Sequence, residues 1–307
     1  MASGAVGPVV VLAGGTGGAK LARGMLDVVG EDLVVVANTA DDIEIYGAHV
    51  SPDPDLVLWW LADRIDERGW GLRGDTFEVM DGLRELGEEI WFHLGDRDLA
   101  ACMLRRRRLD EGARLTEAVD ELRRALGLAA QVVPMSDEPV RTRVRHAGRW
   151  WPLQEYLIRA GGGSPVDGVE YEGAAAARPA PEALAALAEA RAVVIGPSNP
   201  VISIGPILAV PGMRDAIVGS PAPVVAVSPL VGGEVLKGPT AAFMEWAGRP
   251  LDADGIAASY DGLVDGLVAD DRTNALPTLQ TDMLMDGEAG RRRLAQETLR
   301  FAEALGA

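Results

Sequence analysis

Cysteine and histidine are scarce in this 307-residue sequence, which has one cysteine and three histidines. A single cysteine excludes a disulfide within the chain and is typical of a reducing compartment, so we expect a cytoplasmic protein. Zinc sites of the usual composition need several cysteine or histidine ligands, and none is expected here. Any metal should instead be a hard cation that is bound by oxygen ligands.

Positive charge is also in deficit, because 46 aspartates and glutamates outnumber 29 lysines and arginines and give a net charge of −17. Nucleic-acid phosphates are bound largely by basic residues, so we expect no nucleic-acid partner. The consecutive arginines 105–108 point in different directions around a helix and have acidic neighbours, which predicts a solvated helix face. No apolar run is long enough to span a bilayer, so no membrane partner is expected.

Short apolar segments separated by helix-sized intervals indicate the fold. Residues 9–12 and 33–37 have the composition of buried strands and enclose a helical interval of about 15 residues, which is the spacing of a βαβ unit. Residues 192–196 and 223–227 form a second such pair. We therefore predict an α/β protein with a Rossmann-like, doubly wound, mainly parallel sheet, in a single domain over residues 1–307.

Other segments extend this prediction. Helical periodicity predicts helices over residues 56–66, 116–126 and 181–191. Between these segments, residues 148–178 contain clusters of glycine, proline and alanine. We expect them to form a helical or irregular insertion that leaves the main sheet.

A glycine-rich turn, GGTGG at residues 14–18, joins the first predicted strand to the first predicted helix. Glycine lets the backbone approach a ligand closely, and the amides and positive dipole end of a helix N-terminus attract anions. The turn is not a Walker A loop, because Lys20 is followed by Leu21, and it matches the dinucleotide fingerprint poorly. We predict a phosphate site, with a purely structural turn as the alternative.

Four aspartates follow the second predicted strand. Asp41 and Asp42 stand at its carboxyl end, where open α/β sheets bind ligands, and Asp53 and Asp55 precede the next helix. Adjacent carboxylates beside a phosphate suit Mg²⁺, which commonly bridges protein carboxylates and substrate phosphates. The alternative is that Asp41 and Asp42 cap a following helix, and one of Asp53 and Asp55 is expected to be only a cap.

The segment WFHLGDRD, residues 91–98, is predicted to be an apolar strand that ends in a polar turn. In that turn the guanidinium of Arg97 could bind a phosphate, while Asp96 and Asp98 hold a metal or a hydroxyl. A surface salt bridge is the alternative. His93, inside the predicted strand, is expected to be a core histidine.

Two further segments carry polar side chains in proline-bounded turns. The residues concerned are Ser136, Asp137 and Arg141 in the first segment and Ser198, Asn199 and Ser203 in the second. A simple turn is the alternative for the first segment. The second follows a predicted strand, and its side chains can bind phosphate, ribose or a base edge without adding charge.

Taken in order, these segments resemble the 2-phospho-L-lactate transferase family of coenzyme F420 biosynthesis. The motifs that carry the resemblance cover nearly the whole chain and are GGTGGAKL, NTADD, SPDPDLVLWWL, GDTFEVM, WFHLGDRDLA, PMSDEPVRT, LQEYLI, IGPSNPVISIGPIL and SPLVGGEVLKGP.

The resemblance implies transfer of a phospho-three-carbon acid, lactate or its enolpyruvyl relative, from a guanosine-diphospho carrier to the primary ribityl hydroxyl of the deazaflavin precursor FO. GMP is the product that leaves. The resemblance also implies a Rossmann-like fold, Mg²⁺ as the cofactor and a homodimer. Both donors should react, because a small pocket discriminates poorly between groups that differ by so little.

Residues are assigned to this site by the same resemblance. Substrate and nucleotide contacts are expected from Gly14, Gly15, Thr16, Gly17, Gly18, Lys20, Asn38, Thr39, Ser136, Asp137, Arg141, Ser198, Asn199 and Ser203. Magnesium is expected at Asp41, together with Asp42, Asp53 or Asp55. The catalytic group is expected to comprise Asp41, Asp42, Asp96, Arg97 and Asp98.

The alternative function is a non-catalytic metabolic regulator that binds nucleotide sugars, a type of protein related to this family. Such regulators share the glycine-rich start and the paired aspartates, but continue with a GGSSGRL-like segment. Here Asp42 leads into IEIYGAHVSPD, which favours the transferase.

Overall fold

The computed structural model describes residues 7–306 and has a seven-stranded parallel sheet at its centre. The strands are β1 (Val9–Ala13), β2 (Leu33–Ala37), β3 (Ile43–Ile45), β4 (Ala48–Val50), β5 (Gln131–Pro134), β6 (Arg141–His146), β7 (Arg149–Pro152), β8 (Gly168–Glu172), β9 (Ala192–Ile195), β10 (Val224–Val227), β11 (Leu230–Val231), β12 (Glu234–Val235), β13 (Gly266–Ala269) and β14 (Thr278–Gln280).

Helices connect these strands. They are α1 (Gly15–Val29), α2 (Pro52–Leu61), α3 (Glu78–Glu85), α4 (Asp96–Asp110), α5 (Leu115–Ala125), α6 (Leu153–Ile158), α7 (Pro181–Ala188), α8 (Gly205–Ala209), α9 (Met213–Val218), α10 (Thr240–Trp246), α11 (Ala253–Ser259) and α12 (Gly287–Leu305). A π-helical turn, Pro200–Ile204, precedes α8. In the described part of the chain, no helix has both the length and the apolar character needed to cross a membrane.

The central sheet has the strand order β14-β13-β10-β9-β1-β2-β5, and all neighbouring strands are parallel. The chain builds outward from β1 through β2 to β5, then returns to β9 on the other side of β1 and builds through β10 to β14. Neighbouring strands β1 and β9 therefore lead into loops that turn to opposite sides of the sheet. This switch point is where open α/β sheets form a ligand crevice.

Both faces of the sheet are buried, as is usual for parallel strands covered by helices. Within β1, Val10 and Leu12 belong to one apolar cluster, and Val9 and Val11 belong to the cluster on the opposite face. Helices α1, α2 and α12 contribute to the second cluster. This double burial explains why β1 has a run of β-branched residues without polar alternation.

The predicted α/β fold with a Rossmann-like parallel sheet is confirmed. The strands predicted at 9–12, 33–37, 192–196 and 223–227 correspond to β1, β2, β9 and β10 within a residue at each end. The insertion is a separate three-stranded antiparallel sheet in the order β7-β6-β8, and it begins at Arg141, before the predicted residue 148.

The structure differs from two local predictions and excludes one alternative. A β-hairpin of β3 and β4, and no helix, follows Asp42, so Asp41 and Asp42 are not helix caps. Helix α2 begins at Pro52, because proline fits the first helical position, and Asp53 and Asp55 lie inside its first turn. Residues 91–94 pair with no strand. Phe92 and Leu94 pack against β3, β4 and α3, and His93 is exposed.

Candidate active site

The glycine turn lies at the switch point, between the end of β1 and the start of α1. The backbone amide of Gly14 donates to Ser198 Oγ at 3.2 Å, and that of Gly15 donates to Asp53 Oδ1 at 2.6 Å. Gly15 has a φ of +65°, which disfavours a side chain there. The next two residues, Thr16 and Gly17, lie in the first helical turn, where amides have no intrahelical acceptor and are suited to an anion.

The last two glycines of the turn permit close packing behind it. A Cβ at Gly17 would lie 2.0 Å from the carbonyl oxygen of Pro197, and one at Gly18 would lie 2.6 Å from Ser198 Oγ and 2.9 Å from Ala13 Cβ. Helix α1 therefore approaches β1 and the loop after β9 as closely as glycine allows. Gly18 is buried behind the turn, whereas Gly14, Gly15, Thr16 and Gly17 line the cleft in front of it.

We call this cavity the glycine cleft; it has a volume of about 420 Å³. Its lining includes Gly14, Gly15, Thr16, Gly17, Lys20, Asp41, Asp53, Ser198, Asn199, Ser203, Lys237 and Met285. The predicted contacts from the two sides of the switch point thus meet in one cavity. Asn199 has a structural role as well, because its Oδ1 accepts from the amides of Val201 and Ile202 and caps the π-helical turn.

Two carboxylates at the floor of the glycine cleft are joined by one amide. Asn38 Nδ2 donates to Asp53 Oδ2 at 2.9 Å and to Asp41 Oδ1 at 3.2 Å. Gln154 Nε2 reaches Asp41 Oδ2 at 3.3 Å from α6. Burial, followed by repulsion from Asp53, raises the pKa of Asp41 well above its ordinary value, and burial raises that of Asp53 to about 6. We call Asp41 and Asp53 the acidic pair.

Thr39 and Asp42, which were also predicted as site residues after β2, lie behind the acidic pair. Asp42 is buried, with Oδ2 3.0 Å from His49 Nε2 and Oδ1 accepting from Ser51 Oγ at 2.8 Å. Thr39 is buried too, and its hydroxyl has no hydrogen-bond partner among the described residues. Asp42 therefore supports the loop that carries Asp41, and its own oxygens are occupied.

Asp55 points away from the acidic pair and forms a buried ion pair with Arg105 of α4. Arg105 Nη1 donates to Asp55 Oδ2 at 3.1 Å and to the carbonyl oxygen of His49 at 2.9 Å, and Nη2 donates to Asp55 Oδ1. Two predictions are corrected by this contact. Arg105, with 0% exposure, is not on a solvated face, and both oxygens of Asp55 are bound by Arg105, so Asp55 is less suited to magnesium than predicted.

Among the described residues, one group of three ligand-type side chains converges within 4.8 Å, and it consists of Asp55, Asp98 and Cys102. The arginine that binds both oxygens of Asp55 competes with any cation there. A thiol is also a poor ligand for a hard cation such as Mg²⁺. This group is therefore less suited to magnesium than the acidic pair.

A second cavity, which we call the aromatic cleft, meets the glycine cleft at Asp53 and has a volume of about 430 Å³. Its lining includes Trp59, Trp70, Trp91, Phe92, His93, Asp98, Gln154 and Ile158. The aromatic side chains come from three separate segments of the chain. The cleft is suited to a flat ring, because aromatic faces and edges contact such rings favourably.

The aromatic cleft also contains the carboxyl group of Asp98. Its Oδ1 accepts from Trp59 Nε1 at 3.3 Å. Burial, followed by repulsion from Asp55, raises the pKa of Asp98 to about 7; Asp75 adds to the rise and Arg105 opposes it. Near neutral pH this carboxyl therefore exists in both its protonated and its ionised form.

The raised pKa of Asp98 predicts a pH-dependent stability. Folding favours its protonated form, so its contribution is most favourable at low pH and is lost as the pH rises through about 7. Asp98→Asn should raise the melting temperature more at pH 8 than at pH 5, because the unfavourable ionisation of Asp98 develops between its ordinary pKa of 3.8 and about 7. The exposed Asp110→Asn is the control and should show no such difference between the two pH values. Equal shifts at pH 5 and pH 8 for Asp98→Asn would contradict the assignment.

Asp96 and Arg97 lie outside both clefts. Asp96 caps α3, because its oxygens accept from Thr76 Oγ1 at 2.6 Å and from the amides of Glu78 and Val79 at 3.1 and 3.0 Å. Arg97 is exposed, and its amide donates to Asp75. The structure therefore brings only Asp98 of the predicted Asp96–Arg97–Asp98 group to a cleft.

The predicted group at residues 136–141 is likewise divided. Ser136 hydrogen-bonds with Glu138, and Asp137 accepts from the amide and hydroxyl of Thr116 at 2.8 Å, so both stabilise local structure. Arg141 pairs with Glu44 at 3.1 Å and lines a third, open cavity on the other side of Asp41. These three residues do not converge on the glycine cleft.

Sequence reasoning missed Gln154, Lys237 and the aromatic lining. The helix that carries Gln154 and the segments that carry Trp59, Trp70 and Trp91 are far apart in the chain, and nothing in their local patterns shows that they meet. Seven tryptophans beside four phenylalanines and four tyrosines could have indicated an aromatic site.

Comparisons with known proteins agree with this geometry. The sequence pattern of the family described as 2-phospho-L-lactate transferase CofD matches residues 9–299. The 2-phospho-L-lactate transferase of Methanopyrus kandleri is 40% identical over 97% of this chain and 98% of its own. The enzyme of the same name from Methanosarcina mazei is 38% identical over 87% and 88%, respectively. The phosphoenolpyruvate transferase of Kitasatospora aureofaciens is 37% identical over 94% and 97%.

Among solved structures, a UPF0052 family member from Bacillus halodurans has a TM-score of 0.61 with 16% identity, covering 95% of this chain and 99% of that one. At this level of identity the likeness concerns the fold alone. The sequence relatives carry the family assignment, since they match over most of both chains. The chain therefore belongs to the 2-phospho-L-lactate transferase family.

Proposed function

We propose that this enzyme transfers a phospho-three-carbon acid, 2-phospho-L-lactate or enolpyruvyl phosphate, from a guanosine-diphospho carrier to the ribityl hydroxyl of FO and releases GMP. The observation that carries the proposal is the meeting of two different cavities at Asp53. One presents helix-terminal amides and lysine to phosphates, and the other presents aromatic side chains to a flat ring. A transfer between a nucleotide and a deazaflavin requires such neighbours.

The donor diphosphate is placed in the glycine cleft, along the first turn of α1. The amides of Thr16 and Gly17 and the hydroxyl of Ser203 are available to its oxygens, whereas Ser198 holds the turn through Gly14. The acceptor ring is placed in the aromatic cleft, with its ribityl chain directed to the junction at Asp53. Phosphoryl transfer depends mainly on such in-line positioning and on charge neutralisation.

Magnesium fits the acidic pair. The two carboxylates share a single amide donor, and burial, followed by repulsion from Asp53, raises the pKa of Asp41, so a cation bound between them would favour the ionised form of both. Asp41 and Asp53 would hold the cation, which when bound supplies charge neutralisation for the transferred phosphoryl group. Asn38 and Gln154 orient the two carboxylates, and Asp42 fixes the loop from below.

Donor choice is expected to be incomplete. Phospholactate and enolpyruvyl phosphate share a carboxylate and a phosphate ester and differ in the geometry of one carbon, and a pocket distinguishes such a difference by about 1–3 kcal/mol, or about 10- to 200-fold. With both guanylated donors in one tube, mass spectrometry should detect both deazaflavin products. Use of one donor alone, with the other silent over several decades of rate, would contradict this expectation.

The proposed function is tested by incubating the protein with FO, Mg²⁺ and each guanylated donor. We expect release of GMP and a matching gain in the mass of FO. The alternative, a regulator that binds nucleotide sugars, predicts tight binding of a UDP-sugar without GMP release. That result would overturn the proposal. A homodimer in the cytoplasm is also proposed, on the family resemblance alone.

A further inference from the structure

Lysine is nearly absent from this chain. Of the 29 basic residues other than histidine, two are lysines, Lys20 and Lys237. They are 217 positions apart in the sequence, yet both line the glycine cleft. The basic residues that form ion pairs elsewhere on the described surface, such as Arg106, Arg159 and Arg293, are arginines.

The two lysines approach the cleft from different walls. Lys20 lies in α1, and its Nζ is 5.7 Å from the ring centroid of Trp60. Lys237 lies in residues 228–239, a segment with the β11–β12 hairpin that we call the flap. Its Nζ contacts the carbonyl oxygen of Arg68 at 3.4 Å. Within residues 7–306 neither ammonium forms an ion pair with a carboxylate.

The surroundings of Lys20 accumulate positive charge. Burial first, and then the neighbouring charges of Lys237 and Arg291, lower its pKa, while the charge of Asp286 opposes the change. The Arg291 guanidinium also lies 5.2 Å from the Trp60 centroid, and its Nε has no partner in the described part of the chain. Within residues 7–306, none of these three cations forms an ion pair with a carboxylate, although Asp286 lies near Lys20 and the net charge of the protein is −17. An anion would stabilise this arrangement.

We propose that Lys20 and Lys237 bind the phosphate that leaves with the nucleotide, Lys20 from the fixed wall and Lys237 from the flap. This inference rests on the proposed function for the identity of the donor. It assigns the two sides of the reaction to different groups, with the acidic pair beside the transferred phosphoryl group and the lysines beside the leaving group.

The step is a displacement at the β-phosphorus of the donor. The ribityl oxygen of the acceptor forms the new P–O bond and its proton is released to solvent, while the bond from the β-phosphorus to the bridging oxygen breaks. The bridging oxygen keeps the electron pair and leaves on the α-phosphate as part of GMP. Negative charge grows on this α-phosphate, and two ammonium groups near it stabilise that charge more in the transition state than in the bound donor.

The choice of lysine over arginine suits this task. An ammonium is a compact charge with three rotatable donors, whereas a guanidinium presents a wide, rigid fork. Lys20 lies on a helix face against Trp60, and Gly238 follows Lys237 with a φ of +84°. Compact side chains leave the cleft open for the phosphate chain between its two walls.

The scarcity of lysine allows a direct test on the native protein. An amine-reactive acylating reagent can modify only Lys20, Lys237 and the terminal amine of the polypeptide, and peptide mass spectrometry separates the three sites. Guanosine diphosphate should slow the acylation of both lysines at least about tenfold, while guanosine should not, and the terminal amine is the internal control. Equal acylation of the lysines with and without guanosine diphosphate would overturn the proposal.

Variants extend the test to catalysis. Lys237→Gln and Lys20→Gln should each weaken GMP binding about 10- to 100-fold, as expected for a lost charge-assisted hydrogen bond, and leave guanosine binding unchanged. In the transfer assay each should lower kcat by about 10²-fold. Lys237→Arg, which keeps the charge, should recover part of the GMP affinity. The exposed Arg300→Gln removes one positive charge from α12 and is the matched control.

The two proposals fail in different ways. Protection of both lysines by guanosine diphosphate, without transfer to FO by the wild-type protein, would reject the proposed function and retain the lysine site. Transfer by the wild type, with unchanged GMP affinity and kcat in both Gln variants, would reject the lysine site and retain the function.

Discussion

Asp41→Asn should lower kcat of the transfer by about 10³-fold while the variant stays folded. Asp41 shares Asn38 with Asp53 at the junction of the two clefts, and removing its charge weakens the site that we assign to magnesium. Loss of a metal's charge stabilisation costs several kcal/mol in the transition state, and each 1.4 kcal/mol is about tenfold in rate. The measurement is the initial rate of GMP release at saturating donor and FO, together with a thermal melt.

A matched control and a second readout make this result specific. Asp96→Asn changes an aspartate that caps α3 outside the clefts, so it should lower the melting temperature slightly and leave kcat within about threefold. Mg²⁺ should raise the melting temperature of the wild type and of Asp96→Asn, but not that of Asp41→Asn, because a cation stabilises only the state that binds it. Full activity of Asp41→Asn, or the same magnesium-dependent shift in all three proteins, would contradict the assignment.

Arg105→Met should destabilise the protein by about 3–5 kcal/mol, because it leaves the buried carboxylate of Asp55 without its partner. Urea or thermal unfolding measures the change. The neighbouring Arg106→Met is the matched control, because Arg106 pairs with Asp110 at the surface, where water and salt screen an ion pair and its loss should change stability little.

A double variant separates the lost ion pair from lost packing. Asp55→Asn combined with Arg105→Met removes both charges, so it should be more stable than Arg105→Met alone. Similar losses for Arg105→Met and Arg106→Met would show that the Arg105–Asp55 contact does not stabilise the core.

The central sheet could be predicted because the amino-acid composition of its strands is distinctive. Runs such as VVVLA in β1 and LVVVA in β2 are buried on both faces, so their composition alone indicates parallel strands, and the glycine turn follows from its place after β1. The 91–94 segment shows the limit of this signal. Leu94 is buried and Phe92 is half-buried by packing against β3, β4 and α3 without strand pairing, and composition does not distinguish such packing from a strand.

Site residues could be predicted only where the local sequence determines their position. Asp53 and Asp55 look equivalent in SPDPD, but two positions along a helix rotate a side chain by about 200°, so Asp53 turns to Gly15 and Asp55 turns to Arg105. Predicting the orientations of the two aspartates would have required two facts: that α2 starts at Pro52, and that Arg105, 50 residues away in the sequence, lies beside Asp55. The aromatic cleft likewise depends on tertiary contacts between distant segments.

The central claim is that the acceptor hydroxyl attacks the β-phosphorus of a guanylated donor at the junction of the two clefts. It is tested most directly with FO that carries ¹⁸O in its primary ribityl hydroxyl, in a reaction with unlabelled donor and Mg²⁺. We predict one GMP per molecule of product, all of the ¹⁸O in the ester bridge of the deazaflavin product and none in GMP. Label in GMP, a guanylated deazaflavin, or GMP release without any acceptor product would contradict the account.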